Sequence, residues 1–223
     1  LHRVDRRQRQ MCIRDRLFSN HTLFIIIITV VVSLLAWQSP QLMQRLIFYP
    51  PAVQRGQVDR FVTHGFIHAD GMHLFFNMFT LYSFGQAVQG LFMSKLGSLG
   101  FVLFYFAALV VAIMPTYLKQ KNNPRYSSLG ASGAVSAVIF SYILMNPWST
   151  LLLFVIPVPA IVFAVAYVAY SVWADGQGRG SINHSAHLVG GIFGMLATIA
   201  IEPGIVAHFF NQLMHPRFLG FGG

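Results

Sequence analysis

The chain has 223 residues, 55% of them hydrophobic and only 9% charged, where a soluble domain carries roughly 25% charged residues. That balance excludes an ordinary water-soluble domain and points to a polytopic membrane protein. The formal charge of +9 is no nucleic-acid footprint, because six arginines and two aspartates within residues 1–16 supply +4 of it and the remainder is scattered over loops.

Taken in chain order, residues 1–16 stand apart. Met11-Cys12-Ile13-Arg14-Asp15-Arg16 resembles one reading frame of a common transposase sequencing adapter, so this segment is expected to be non-native and is set aside from fold reasoning. A natural polybasic arm on anionic lipid is the competing reading. The segment holds the single cysteine, Cys12, which removes disulfides and thiol catalysis from the rest of the chain. Residues 17–203 are read as a membrane core and 204–223 as a short C-terminal tail.

Six spans are expected, each close to the ~20 apolar residues that cross a bilayer. The first runs from Thr22 to Trp37 and stops before Ser39-Pro40. The connection from Gln41 to Gly71 is too long for a turn, and its Leu46-Ile47-Phe48-Tyr49 predicts an interfacial segment. The second span is His73 to Gln89 and the third Leu99 to Leu118. The fourth is Ser132 to Met145, closed by the helix stop Asn146-Pro147. The fifth is Leu151 to Trp173, followed by the glycine-rich loop Asp175 to Gly180. The sixth is Ser185 to Ile201, ended by Glu202-Pro203-Gly204.

Spans two, four and six run in the same direction, and Asn77, Ser132 and His187 all fall in their first turns. At ~1.5 Å per residue the three side chains reach one shallow level. A hydroxyl, an imidazole and an amide entering a membrane are costly unless used or paired. A serine becomes a nucleophile when a base takes its proton, and His187 is the best-placed base. Gly190 and Gly194 form a small-residue face on its helix, and Gly130 with Ala134 and Gly133 with Ala137 form matching faces on the serine's helix, so close backbone approach is expected. No acid lies inside an apolar run, which implies a Ser–His dyad without a carboxylate. His73 and Asn77, four residues apart, share a helix face and with the Ser132 backbone N–H are candidate oxyanion donors.

Each feature alone has a plainer reading. A serine in a spanning helix usually bonds its own i−4 carbonyl, and Gly-xxx-Gly is usually packing. His21, His64, His208 and His215 are read as interfacial. The set His64, His68, His73, His184 and His187 raises the question of a metal, but His-Glu-x-x-His is absent and no acid accompanies the set within the membrane, so no metal is assigned. Gly-x-Ser-x-Gly of soluble hydrolases is absent too.

Together these segments resemble the rhomboid family of intramembrane serine proteases. The matches are His68-x4-His73-x3-Asn77, Gly130-x-Ser132-Gly133 and Ala186-His187-x2-Gly190-x3-Gly194, over about Thr22 to Pro203. The resemblance implies an all-α six-helix bundle with Ser132 as nucleophile and His187 as base. His73 and Asn77 would be oxyanion donors, His68 a structural hydrogen-bonder in the first loop, and Arg60 the anchor of that loop. It implies no metal and no cofactor, transmembrane protein substrates as partners within the lipid bilayer, and no nucleic acid. It also implies a mobile cap over Ala174 to Asn183, and a bacterial inner membrane with the site on the extracytoplasmic side. Charge alone argues the reverse orientation: Arg45, Arg55, Arg60, Lys119, Lys121, Arg125 and Arg179 fall on the site's side, against Lys95 and Arg217.

Two positions depart from many relatives. Asp59 stands where they have Trp, and Ser136 stands where they carry an aromatic packed on the histidine, so His187 is expected to be held less tightly. Two non-protease readings compete. A silent binder of membrane helices would be expected to lack the Ser or His. A proton-relaying transporter would need polar residues continuing to the far side, and here they stop in the upper turns. The sequence names neither a substrate nor an oligomeric state.

Overall fold

The first helix, α1 (His21–Gln38), begins where the Asn20 side chain accepts the Leu23 N–H and ends where Ser39 caps the next helix before Pro40. The computed structural model describes residues 20–153, 156–177 and 183–216. The proposed adapter segment, Arg179, Arg217 and half of the expected cap (178–182) lie outside them.

The connection after α1 is a run of short helices: α2 (Pro40–Leu46), α3 (Pro50–Gln54), α4 (Arg60–Thr63) and a 3-10 turn over His64–Phe66. Arg60 ties them together. Its buried guanidinium donates to the carbonyls of Gln44 and Ile47 and to Gln57 Oε1, satisfying acceptors that would otherwise be costly to bury. Asp59 forms an exposed ion pair with Arg45 at 2.7 Å. Within the expected interfacial strip, Phe48 is fully buried against Phe61, Tyr117 and His64. A two-way backbone bridge to Ser128 draws it inward. His64 is likewise buried rather than interfacial.

Then come α5 (Gly71–Leu96), α6 (Gly100–Gln120) and α7 (Ser132–Met145). Helix α5 starts on an Asp70 cap and is anchored to α1 by the buried Gln89, which accepts from Thr22 N and Oγ1. Ten of the fourteen residues of α7 are buried, making it the central post of the bundle. At ~1.5 Å per residue it is about 21 Å long, against ~30 Å of hydrocarbon. When its far end reaches one face, Ser132 is therefore set in from the other.

The fifth predicted span starts later than expected. Thr150–Leu153 (β1) pairs antiparallel with Ile156–Pro159 (β2), and α8 begins only at Ala160 and runs to Gln177. Pro157 and Pro159 explain this, since each lacks an N–H and restricts the residue before it to extended backbone. Helix α9 (His184–Ile201) follows. The C-terminal tail opens with the helix α10 (Ile205–Met214).

Helices α1, α6 and α9 are each long and apolar enough to cross a membrane, while α7 and the apolar part of α8 are shorter. Phe24, Ile27 and Val31 on α1, Phe75 and Phe79 on α5, and Val162, Val165 and Val172 on α8 are exposed. Together they give the bundle an apolar outer surface of the kind a bilayer covers.

Candidate active site

Ser132 is the first residue of α7 and His187 lies one turn into α9. Their Oγ and Nε2 atoms are 2.6 Å apart, within the reach a base needs to take the hydroxyl proton. The approach depends on glycine. A Cβ on Gly190 would collide with the Gly133 carbonyl, and one on Gly194 with the Ala137 backbone. The Ser141 hydroxyl also donates across to the Gly194 carbonyl at 3.0 Å. Gly133 in turn faces α6, where an added Cβ would lie 2.6 Å from the Ala112 Cβ.

The first turn of α9 is held by Asn183, which the sequence reading missed. Its Oδ1 accepts the Ala186 N–H at 3.1 Å while its Nδ2 donates to Thr116 Oγ1 at 2.8 Å and Tyr126 OH at 3.2 Å. The signal available was an asparagine directly before an apolar helix. As for a third triad member, Asp59 pairs with Arg45, Asp70 caps α5, and Glu202 pairs with Lys95. The Asp175 side chain lies outside the described residues.

The chain before Ser132 is set by two histidines. Gly130 has φ +111°, and a Cβ there would meet the His73 ring at 2.7 Å, so only glycine fits both the left-handed backbone and the imidazole. The Ala131 N–H donates to His68 Nε2 at 3.3 Å. That acceptor role leaves the ring proton on Nδ1, which donates to Ser33 Oγ at 3.1 Å, and Ser33 donates on to the Phe66 carbonyl. The Trp37 indole also bonds the His68 carbonyl at 2.7 Å. His68 thus links α1 to the backbone that leads into Ser132. Asn77 is buried and donates to the His73 carbonyl at 2.8 Å.

Burial first, and the neighbouring His73 second, lower His68 from 6.5 to about 3, while burial takes His64 to about 4. Both folded values lie below the unfolded one, so the unfolded chain binds the extra protons. Stability is full above the unfolded value near 6.5 and is lost as pH falls from there toward the folded values, by at most ~1.4 kcal/mol per pH unit per histidine. The melting temperature in detergent should therefore fall between about pH 7.5 and about pH 5. In His68→Gln, which keeps an acceptor for Ala131, the pH dependence should be shallower. A flat profile in the wild type would contradict this account.

A cavity of about 180 Å³ opens beside the two side chains, walled by Ser132, His187 and Asn77 and by apolar residues of three helices: Phe76 on α5, Val135, Ile139 and Phe140 on α7, and Phe163 on α8. His73 stands against Gly130, off that wall. Tyr167 of α8, also unforeseen, lines the cavity and lies nearly parallel to the His187 ring, 16° between planes and 6.2 Å between centroids. Its hydroxyl is 3.3 Å from Ser136 Oγ.

The Rhomboid domain matches residues 55–203. The chain is 33% identical over 161 residues to "RHOMBOID-like protein 12, mitochondrial" of Arabidopsis thaliana, covering 67% of this chain and 48% of that protein. It is 33% identical over 136 residues to "Rhomboid protein 1, mitochondrial" of Saccharomyces cerevisiae, covering 59% and 38%. With "Presenilin-associated rhomboid-like protein, mitochondrial" of Mus musculus it shares 28% over 165 residues, covering 71% and 43%. The chain thus spans less than half the length of these relatives. With the domain matching most of the chain and an apolar helical bundle around it, the protein is an integral membrane protein and belongs to the rhomboid family.

Proposed function

We propose that the protein is an intramembrane serine endopeptidase that cleaves transmembrane segments of other membrane proteins. The observation that carries this reading is the 2.6 Å contact between Ser132 Oγ and His187 Nε2 at the mouth of an apolar cavity. His187 takes the hydroxyl proton as Ser132 attacks the peptide carbonyl, then returns it to the leaving amine. Water next attacks the acyl-enzyme, with His187 again as base.

The developing oxyanion is received at the start of α7, where the Ser132 N–H is free of the intrahelical ladder and the helix dipole favours negative charge. Asn77 lines the same cavity and has a second amide hydrogen beyond the one given to His73. His73 joins the donors by turning off Gly130. No metal or cofactor is assigned a role. The expected bacterial inner membrane draws no support from the relatives compared, which carry mitochondrial names, so the proposal is confined to a bilayer with the site near one face.

The test is cleavage of a single-span test protein in liposomes, with labelling of the enzyme by a fluorophosphonate. Wild type should cleave and be labelled at Ser132. Equal cleavage by Ser132→Ala would overturn the proposal, and binding of the span without cleavage or labelling would assign the protein to the silent binders.

A further inference from the structure

We propose that Tyr167 is the positioning residue that holds the His187 ring against Ser132, so that the dyad and its aromatic support come from three helices. This rests on the Ser132–His187 reading above.

His187 makes its contact with Ser132 through Nε2. A ring hinged on one side chain and bonded at one atom still rotates about that bond, so its plane must be set from a face. Tyr167 provides that face, close to parallel with the imidazole. The edge of His184 sits 6.2 Å away at 71°, which leaves the tyrosine as the parallel surface against His187 among the described residues.

Tyr167 is itself fixed on three sides. Phe163, one turn earlier on α8, stacks on it at 5.6 Å and 22°. Phe140 of α7 touches it at 6.0 Å. The Ser136 hydroxyl meets its OH. Serine at 136 therefore does not leave the histidine unsupported. It is small enough to admit a ring from α8 and polar enough to hold that ring's hydroxyl, which needs a partner when buried. The aromatic support and the nucleophile are consequently on different helices.

The experiment compares wild type, Tyr167→Phe, Tyr167→Leu and Ser136→Ala for cleavage in liposomes and for the rate of fluorophosphonate labelling, whose small reagent does not depend on filling the cavity. Tyr167→Leu should lower kcat and labelling rate together by about tenfold, the effect of one lost aromatic contact at the upper end of its range. Tyr167→Phe keeps the ring and should stay within about threefold of wild type, as should Ser136→Ala. If Tyr167→Leu does not fold, Tyr167→Met supplies the same bulk without a ring. Wild-type labelling by the leucine variant, a change confined to KM, or equal losses in the leucine and phenylalanine variants would each overturn the proposal. Labelling lost in Ser132→Ala but unchanged in Tyr167→Leu would leave the dyad standing and remove only the tyrosine's role.

Discussion

Replacing Ser132 with alanine is expected to reduce cleavage by at least about 10⁴-fold, and His187→Ala to do nearly the same, with the double variant no slower than either single. In the proposed mechanism the two groups work as one unit: the serine without its base is a weak nucleophile, and the base without the serine has no proton to take. The geometry sharpens this, because the 2.6 Å contact joins them directly. Structural damage should be small, since Ser132 is the first residue of α7 and both side chains are only half-buried at the cavity mouth. Cleavage rates with melting temperatures measured on the same samples check it. Additive losses in the double variant would mean that the two residues act separately.

Much of this site was legible because its residues sit at punctuation. The limits of α7 were read correctly, from Ser132 to Met145, since a glycine with left-handed backbone precedes it and Asn146-Pro147 cannot continue it. The Gly190 and Gly194 face was legible because glycine in a spanning helix has few reasons to be there other than close approach. What was missed depends on tertiary neighbours. Phe48 and His64 look interfacial in a polar stretch and are buried because Arg60 folds that stretch back on itself. Tyr167 is one of several aromatics in an apolar run, and nothing local marks the one that meets His187. The α8 start was obscured by hydropathy, which reads Leu151 to Pro159 as span although its two prolines forbid regular helix. Helix α10 is legible in Ile205, Phe209 and Leu213 at helical spacing, while Glu202-Pro203-Gly204 marks only the end of the sixth span.

Gly190→Ala should lower kcat by about 100-fold while leaving a folded protein destabilised by roughly 1–3 kcal/mol. The added methyl meets the Gly133 carbonyl, which is main chain and belongs to the residue directly after Ser132, so no side-chain rotation relieves the clash. The helices must separate, and Gly190 lies one turn beyond His187 on the same helix, so the imidazole moves with it. A shift of about 1 Å turns a short Ser–His contact into one too long for proton transfer, and displacements of that size cost on the order of 10² in rate. Gly194→Ala meets the Ala137 backbone one turn further from the dyad, so it should cost similar stability and less rate. Gly90→Ala on α5 is the control, since nothing lies within 4 Å of its added methyl, and it should leave both kcat and melting temperature unchanged or slightly raise the latter. A wild-type kcat in Gly190→Ala would show that the close packing of α7 on α9 does not set the distance between Ser132 and His187.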